Sequence, residues 1–357
     1  MAADAARSLL SLLDRRFFLL IDYDRPFLTY DEQVTRLLQK NVVITDENFV
    51  RKALRNHSYY TLYNGYKSLF PNYYDEEKGT EVFTKPVDFN LLYSLYIIDT
   101  NLSSILFKYI LHVERSLKTK VAHVVGKYYG IHENDYLDFK KYKSRGRLDR
   151  KTEINNLKTQ LSKRNKSAPV DHYRKKHNHI PPWIAVNCFY FGSVINWYKI
   201  LKNTHKETIA LEFLGYFEDL TMHDILTLFP DCLSLLQIYR NNMAHGNRTF
   251  ESTISSELPK NELLTAVNEN VLSERDFKNN IGKKDLFAVM ITLFLLIEDH
   301  YILNNLLQDL RNLFSAFQDY QIILSASGDI FSTLDIPHDY FDRLSNLFYD
   351  KFNFYII

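Results

Sequence analysis

Glycine and proline are scarce, ten and nine among 357 residues. That argues against a loop-rich or all-β chain and favours helices. Cysteine is scarcer still: Cys188 and Cys232 stand far apart, each among apolar neighbours. Their placement excludes a disulfide framework and a thiolate metal cluster, and suits a reducing compartment. There is no Gly-rich phosphate loop, no CxxC pair, no HExxH helix and no GxSxG elbow. The longest apolar-rich run, Leu286 to Ile297, has twelve residues where a bilayer span needs roughly 20. It therefore reads as a buried core helix. Asp4, Asp14, Arg15 and Arg16 interrupt the first twenty residues, which lack the order of a signal peptide. A cytoplasmic protein with no membrane partner and no cofactor is expected.

What is present points to a large helical core. Hydrophobic residues make up 46% of the chain and aromatic residues 15%, enough to bury a substantial interior. Net charge is only +1, but it is unevenly spread. Residues 140–179 hold fourteen Lys and Arg against three acids, a formal +11, so the remainder sums to −10. Such a stripe on an otherwise acidic chain is the footprint of a polyanion partner, or else a solvated loop and helix face. The RNA-contact candidates within it are Lys140, Lys141, Lys143, Arg145, Arg147, Arg150, Lys151, Arg174, Lys175 and Lys176.

Apolar spacing places the helices. Asp31 to Gln39 and Asp46 to His57 each open on an acidic cap. Aromatics at intervals of three and four in Ser58 to Phe70 form a packing face, and polar Pro71 to Pro86 reads as a loop. A long helical region starts at Asp88, with a break expected at Asp99–Asn101. Its second half carries Leu102, Ile105, Leu106, Tyr109, Ile110, Val113, Leu117, Val121 and Val124 on one face, with Glu114, Arg115 and Lys118 on the other. The basic segment holds one helix, Asp149 to Lys163. Trp183 to Leu201 is helical in spacing, with Gly192 a break or a point of close approach. Thr221 and Asp224 form a capping-box variant for a helix to Ala244, which Pro230 should kink or split, and Gly246 sits at its C-cap. Further helices fall in Lys284 to Phe314 and Pro337 to Phe348. The histidines His172, His177 and His179 are best explained as chance clustering rather than a metal site.

One constellation carries chemistry: Arg240, Asn241 and His245, followed by Arg248. An Arg and a His with four residues between them is weak by itself, and a second such pair stands at Arg174 and His179. The first pair lies at a helix end closed by Gly246. Asn241 and His245 share a helix face, and Arg240 sits about 100° around the axis. These groups either satisfy carbonyls at a helix end or serve metal-independent RNA cleavage. In the second case His245 moves the proton of a ribose 2′-OH that attacks its own phosphate, while Arg240 and Arg248 stabilise the developing charge. The products would be a 2′,3′-cyclic phosphate and a 5′-OH.

RNNMAHGNR (Arg240 to Arg248) resembles the RN-x-x-AH-x-x-R signature of the Abi-like bacteriophage-resistance family, a branch of the HEPN superfamily. Three further blocks agree in order and spacing: KNVVITDENFVRKALRNHSYYTLYNGYKSLF (Lys40 to Phe70), LYSLYIIDTNLSSILFKYILHVERSLKTKVAH (Leu92 to His123) and HYRKKHNHIPPWIAVNCFYFGSVINWYKIL (His172 to Leu201). The resemblance covers about two thirds of the chain, from roughly Pro26 to Phe250. It implies an all-α fold, a HEPN-type helical bundle with additional N- and C-terminal helices. That gives an N-terminal helical region over 1–86, a core over 87–250 and a C-terminal helical region over 251–357 packed on it. It further implies an abortive-infection endoribonuclease with Arg240 and His245 catalytic and Asn241 beside them. Arg248 would be the trailing base. Glu114 of HVERS either orients Arg240 or pairs with Lys118 at the surface. A homodimer with a composite site is implied, with an associated non-coding RNA or antitoxin as a further partner. Gly246 departs from relatives that carry a second His or another polar residue there, leaving His245 the only imidazole of the motif. The rival readings are an RNA-binding protein that does not cleave and a helical protein-interaction adaptor.

Overall fold

The computed structural model describes residues 26–163, 168–249, 254–318 and 329–352. The opening twenty residues read for a signal peptide lie outside them, as do Arg164 and Lys166 of the basic segment. The fold is all-α, with two small two-stranded sheets near the N-terminus. The chain forms two compact units, one up to Tyr96 and one from Ile97 onward.

In the first unit, α1 (Tyr30–Gln39) is capped by Thr29 in a full capping box with Glu32, rather than by Asp31. The hydroxyl satisfies an orphan amide of the first turn while Glu32 reaches back. α2 (Glu47–His57) has the expected Asp46 cap. Ser58, at φ +63°, breaks the helical path, and the aromatic stripe continues as a π turn over Tyr60–Asn64 and a 3-10 turn over Lys67–Leu69. Tyr63, Tyr66 and Phe70 are buried, so the stripe does pack. The expected loop is instead an antiparallel hairpin, β2 (Asn72–Asp75) on β3 (Thr80–Phe83), turning at Gly79 with φ +59°. A parallel pair, β1 (Val42–Val43) and β4 (Val87–Asp88), lies beside it in the chain order. The Lys40 ammonium, nearly buried, donates to the Thr80 hydroxyl at 2.6 Å and the Glu81 carbonyl at 3.1 Å.

In the second unit lies most of α3 (Phe89–Tyr129), 41 residues without interruption. No break occurs at Asp99–Asn101, because the Asp99 side chain, buried, is used elsewhere. Eight of the nine apolar positions assigned to its packing face are buried, and Ile105 is half-buried. The longer helices that follow are α4 (Arg150–Ser162), α5 (Ala168–Lys176), α6 (Phe191–Lys199), α7 (Asn203–Leu214), α8 (Met222–Ala244), α9 (Leu286–Leu296), α10 (His300–Gln318) and α11 (Tyr340–Phe352). The basic segment thus holds two helices, not one. Trp183 to Leu201 is broken into a short helix, Pro182–Ala185, a 3-10 turn and α6.

The core centres on α9, all eleven of whose residues are buried. α7, α8 and α11 pack on it, and α6 and the short helix Lys260–Ala266 pack on α8. Each fully buried Leu, Ile or Phe contributes about 1.5–3 kcal/mol, so burial is the main force that holds this helix. Its C-terminal carbonyls are closed by Lys351, whose buried ammonium donates to Phe294, Leu295 and Ile297. Among the described residues no helix is long and apolar enough to cross a membrane.

Candidate active site

The site is built on α8. Thr221 caps it, its hydroxyl accepting from the Asp224 amide while Asp224 accepts from the Thr221 amide at 2.9 Å. The helix runs unbroken through Pro230, although that residue leaves the Leu226 carbonyl without its amide donor. Tyr239, buried, anchors the far end by donating to the Lys284 carbonyl at 2.9 Å. The helix then stops in a Schellman arrangement. His245 is the C-cap residue, Gly246 takes φ +70°, and the amides of Gly246 and Asn247 bond to the carbonyls of Met243 and Asn242 at 3.1 and 3.0 Å. Only the left-handed backbone at Gly246 allows this closure, which glycine adopts without steric cost.

Beyond the cap the chain is tied down at once. Asp99 accepts from the Thr249 amide at 3.1 Å and from its hydroxyl. Both residues are buried. The Arg240–Arg248 motif is therefore fixed at both ends, by the core at Tyr239 and by α3 at Thr249.

Gln237, Arg240 and Asn241 form one wall of a cleft of about 500 Å³. The other walls come from α6 and α4. Gln160 crosslinks these two helices: it is buried, donates to the Ser193 hydroxyl at 2.7 Å and accepts from the Tyr190 amide at 2.9 Å. Asn196 donates to Glu153 at 3.0 Å in a second tie. Gly192 faces Gln237 so closely that a Cβ there would fall 2.2 Å from its amide nitrogen, which answers the sequence alternatives in favour of close approach. The cleft is lined largely by amides and hydroxyls, with Arg240 and Lys163 as its cations and Glu153 as its acid. His245 is exposed and lies one turn beyond Asn241 on the stripe Gln237–Asn241–His245.

Arg240 is held from behind. Its Nε is 3.4 Å from Glu114 Oε2, and its guanidinium lies over the Phe107 ring at 5.8 Å. Glu114 is only 6% exposed and places its other oxygen 2.8 Å from Lys118. The carboxylate thus serves both partners that the sequence allowed. Arg240 keeps 30% of its side chain exposed, toward the cleft.

None of the ten cations singled out in the basic segment lines this cleft. Four are committed to local structure. Lys141 donates to the Tyr129 carbonyl at 2.9 Å and Arg150 to that of Tyr142 at 2.9 Å. Arg145 donates to Asn203, and Arg174 to the Leu161 carbonyl and to Asp171. Lys140, Lys143, Arg147, Lys151, Lys175 and Lys176 are exposed. Arg248 is half-buried past the cap. The sequence reading missed the amide residues of α4 and α6. Their signal was there: Glu153, Asn156, Gln160 and Lys163 recur at helical spacing on one face of α4. Among the described residues no group of three His, Cys, Asp or Glu is arranged to hold a metal ion.

The Abi-like protein family model matches residues 52–251, more than half of the chain, and includes all of the Arg240–Arg248 motif. The chain belongs to the Abi-like protein family. Membership suggests a part in abortive-infection phage defence. No curated protein and no solved structure matches the chain. In this Abi-like protein the matched span takes in α4, α6 and α8, so every wall of the cleft is family sequence.

Proposed function

We propose that this Abi-like protein is a metal-independent endoribonuclease of the HEPN type, with Arg240, Asn241 and His245 at the reacting phosphate. The observation that carries the reading is the placement of Arg240: its Nε lies 3.4 Å from a buried carboxylate, within ion-pair range, while its side chain lines a polar cleft. A guanidinium backed by a carboxylate keeps donors turned toward the cleft, where charge stabilisation is strongest when little reorganisation is needed. His245 takes the 2′-OH proton, the 2′-oxygen bonds to phosphorus, and the bond to the 5′-oxygen breaks as that oxygen gains a proton. Asn241, on the same stripe as His245, hydrogen-bonds the phosphate or ribose. The family resemblance implies a homodimer with a composite site, in which two copies of the motif supply base and acid. The role is that of an abortive-infection effector restrained by a cognate RNA or antitoxin.

The test is a denaturing-gel assay with total RNA in EDTA, comparing wild type, His245→Ala and Arg240→Ala. Wild type alone should cut, leaving cyclic-phosphate ends, and at low concentration its rate should rise with the square of protein concentration. Cleavage that survives both substitutions would place the chemistry elsewhere. Equal RNA binding by all three without cleavage would favour a binding protein.

A further inference from the structure

A second groove, of about 340 Å³, runs along α3 and is lined by Arg115, Lys118, Thr119, His123, Trp183 and Asn187. None of these residues belongs to the cleft above. Arg115, Lys118 and His123 recur along α3 at helical spacing, so their cationic or polar ends form a row. Trp183 stands opposite. Part of its ring lies against Gly126, where a Cβ would come within 3.3 Å of the ring, yet Trp183 remains 50% exposed. A half-exposed indole in a groove is a costly use of a large apolar surface unless something covers it. A flat aromatic face opposite the Arg115 guanidinium and the Lys118 ammonium matches a nucleotide, with a base to stack and phosphates to neutralise. The groove is also joined to the cleft by one group: Glu114 holds Lys118 through one oxygen and Arg240 through the other.

We infer that this groove is a single-stranded RNA subsite, in which a base stacks on Trp183 and its flanking phosphates lie on Arg115 and Lys118. The inference rests on the ribonuclease reading, since it supplies the strand that Arg240 acts on. Lys118 is then a shared element: a phosphate at Lys118 competes with Glu114 for it and so releases that carboxylate to Arg240.

The experiment uses the full chain and an oligoadenylate of eight nucleotides with every 2′-oxygen methylated, so that binding is read without cleavage. The other tryptophan, Trp197, is fully buried and bonded to the Tyr142 hydroxyl, so quenching of intrinsic fluorescence reports Trp183. Titration should quench that emission. Trp183→Ala should weaken binding roughly 5- to 150-fold, the range for loss of one stacked base. Trp183→Phe, which keeps a ring against Gly126, should restore most of the affinity and so separates stacking from folding. Arg115→Ala should lower the salt slope by about one phosphate contact. Unquenched emission together with unchanged affinity in Trp183→Ala would overturn the inference even if wild type cuts RNA. Quenching without any cleavage of ordinary RNA would support the groove and remove the ribonuclease reading instead. Equal quenching by a polyglutamate peptide would reassign the groove to an acidic protein segment and overturn it.

Discussion

Replacing Glu114 by glutamine removes the one group that both Arg240 and Lys118 contact while keeping its shape. Glu114 is 6% exposed, and the side chains of Arg240 and Lys118 are 30% and 19% exposed. Removing one partner of a fully buried ion pair costs about 3–5 kcal/mol, because a charge is left uncompensated. Here both cations reach solvent, and the Arg240 contact at 3.4 Å is looser than a good hydrogen bond. The expected loss is therefore about 1–3 kcal/mol. For a unit of this size that lowers Tm by roughly 2–10 °C. Cleavage should fall further than stability accounts for, since Arg240 would sample rotamers in which it no longer lines the cleft, and a small misplacement can cost about 100-fold. The control is Asp309→Ala, which breaks another carboxylate's bonds to α3, from Lys108 at 2.9 Å and Tyr109 at 2.7 Å. It should lower Tm without lowering the rate. Thermal unfolding by circular dichroism and the EDTA cleavage assay decide the matter. A Glu114→Gln protein that cuts RNA at the wild-type rate would show that Arg240 does not depend on this carboxylate, whatever its Tm.

Three other perturbations isolate single terms. Gly246→Ala meets nothing within 4 Å, so its cost is the φ of +70° alone. That predicts about 1–2 kcal/mol of lost stability, partly recovered by Gly246→Asn, and equal Tm values for alanine and glycine would refute it. Asp99→Ala strands the buried Thr249 amide, at about 1–3 kcal/mol; hydrogen exchange at that amide should accelerate, and an unchanged rate would mean the tie past Arg248 is not formed. Asp285 accepts from the Gly282 and Ala288 amides, yet burial pushes its carboxyl up to about 7. Its folded pKa lies above the unfolded value of about 3.9, so its contribution is present below pH 4 and lost as pH rises through 7. Asp285→Asn, which keeps the acceptor, should flatten that decline; denaturation curves that stay parallel to wild type between pH 4 and 7 would sink the assignment.

Periodicity located the helices that bury one face, because that signal is local. The α2 cap at Asp46, the Thr221–Asp224 box, the Gly246 cap and the fully buried Leu286–Ile297 stretch were all readable from neighbours within a turn. What failed depended on distant partners. Asp99–Thr100–Asn101 looks like a helix break because Asp and Asn favour turns, but a partner 150 residues away engages Asp99 and α3 continues. The β2–β3 hairpin hides in a polar stretch because four-residue strands give too little alternation to detect. Pro230 sits in a helix whose packing against α6, α7 and α9 outweighs one missing hydrogen bond.

The site shows the same division. The Arg240–His245 motif is local and can be read from the sequence, but the cleft that Arg240 and Asn241 line cannot. Net charge points to the cations of residues 140–179, and the ten named there lie outside a cleft whose walls must first pack against one another. A Lys or Arg pointed into the narrow gap between α4, α6 and α8 would lose hydration and bring like charges together. Amides and hydroxyls can crosslink the helices there and still present donors and acceptors, as Gln160 and Asn196 do. Glu114 makes the point from the other side. On an isolated wheel of α3 it belongs to the polar face, and a surface pairing with Lys118 suffices. In the fold Glu114 itself is buried, and a desolvated acid needs cations within reach. Arg240 is such a cation, so the packing that hides Glu114 also determines where Arg240 stands.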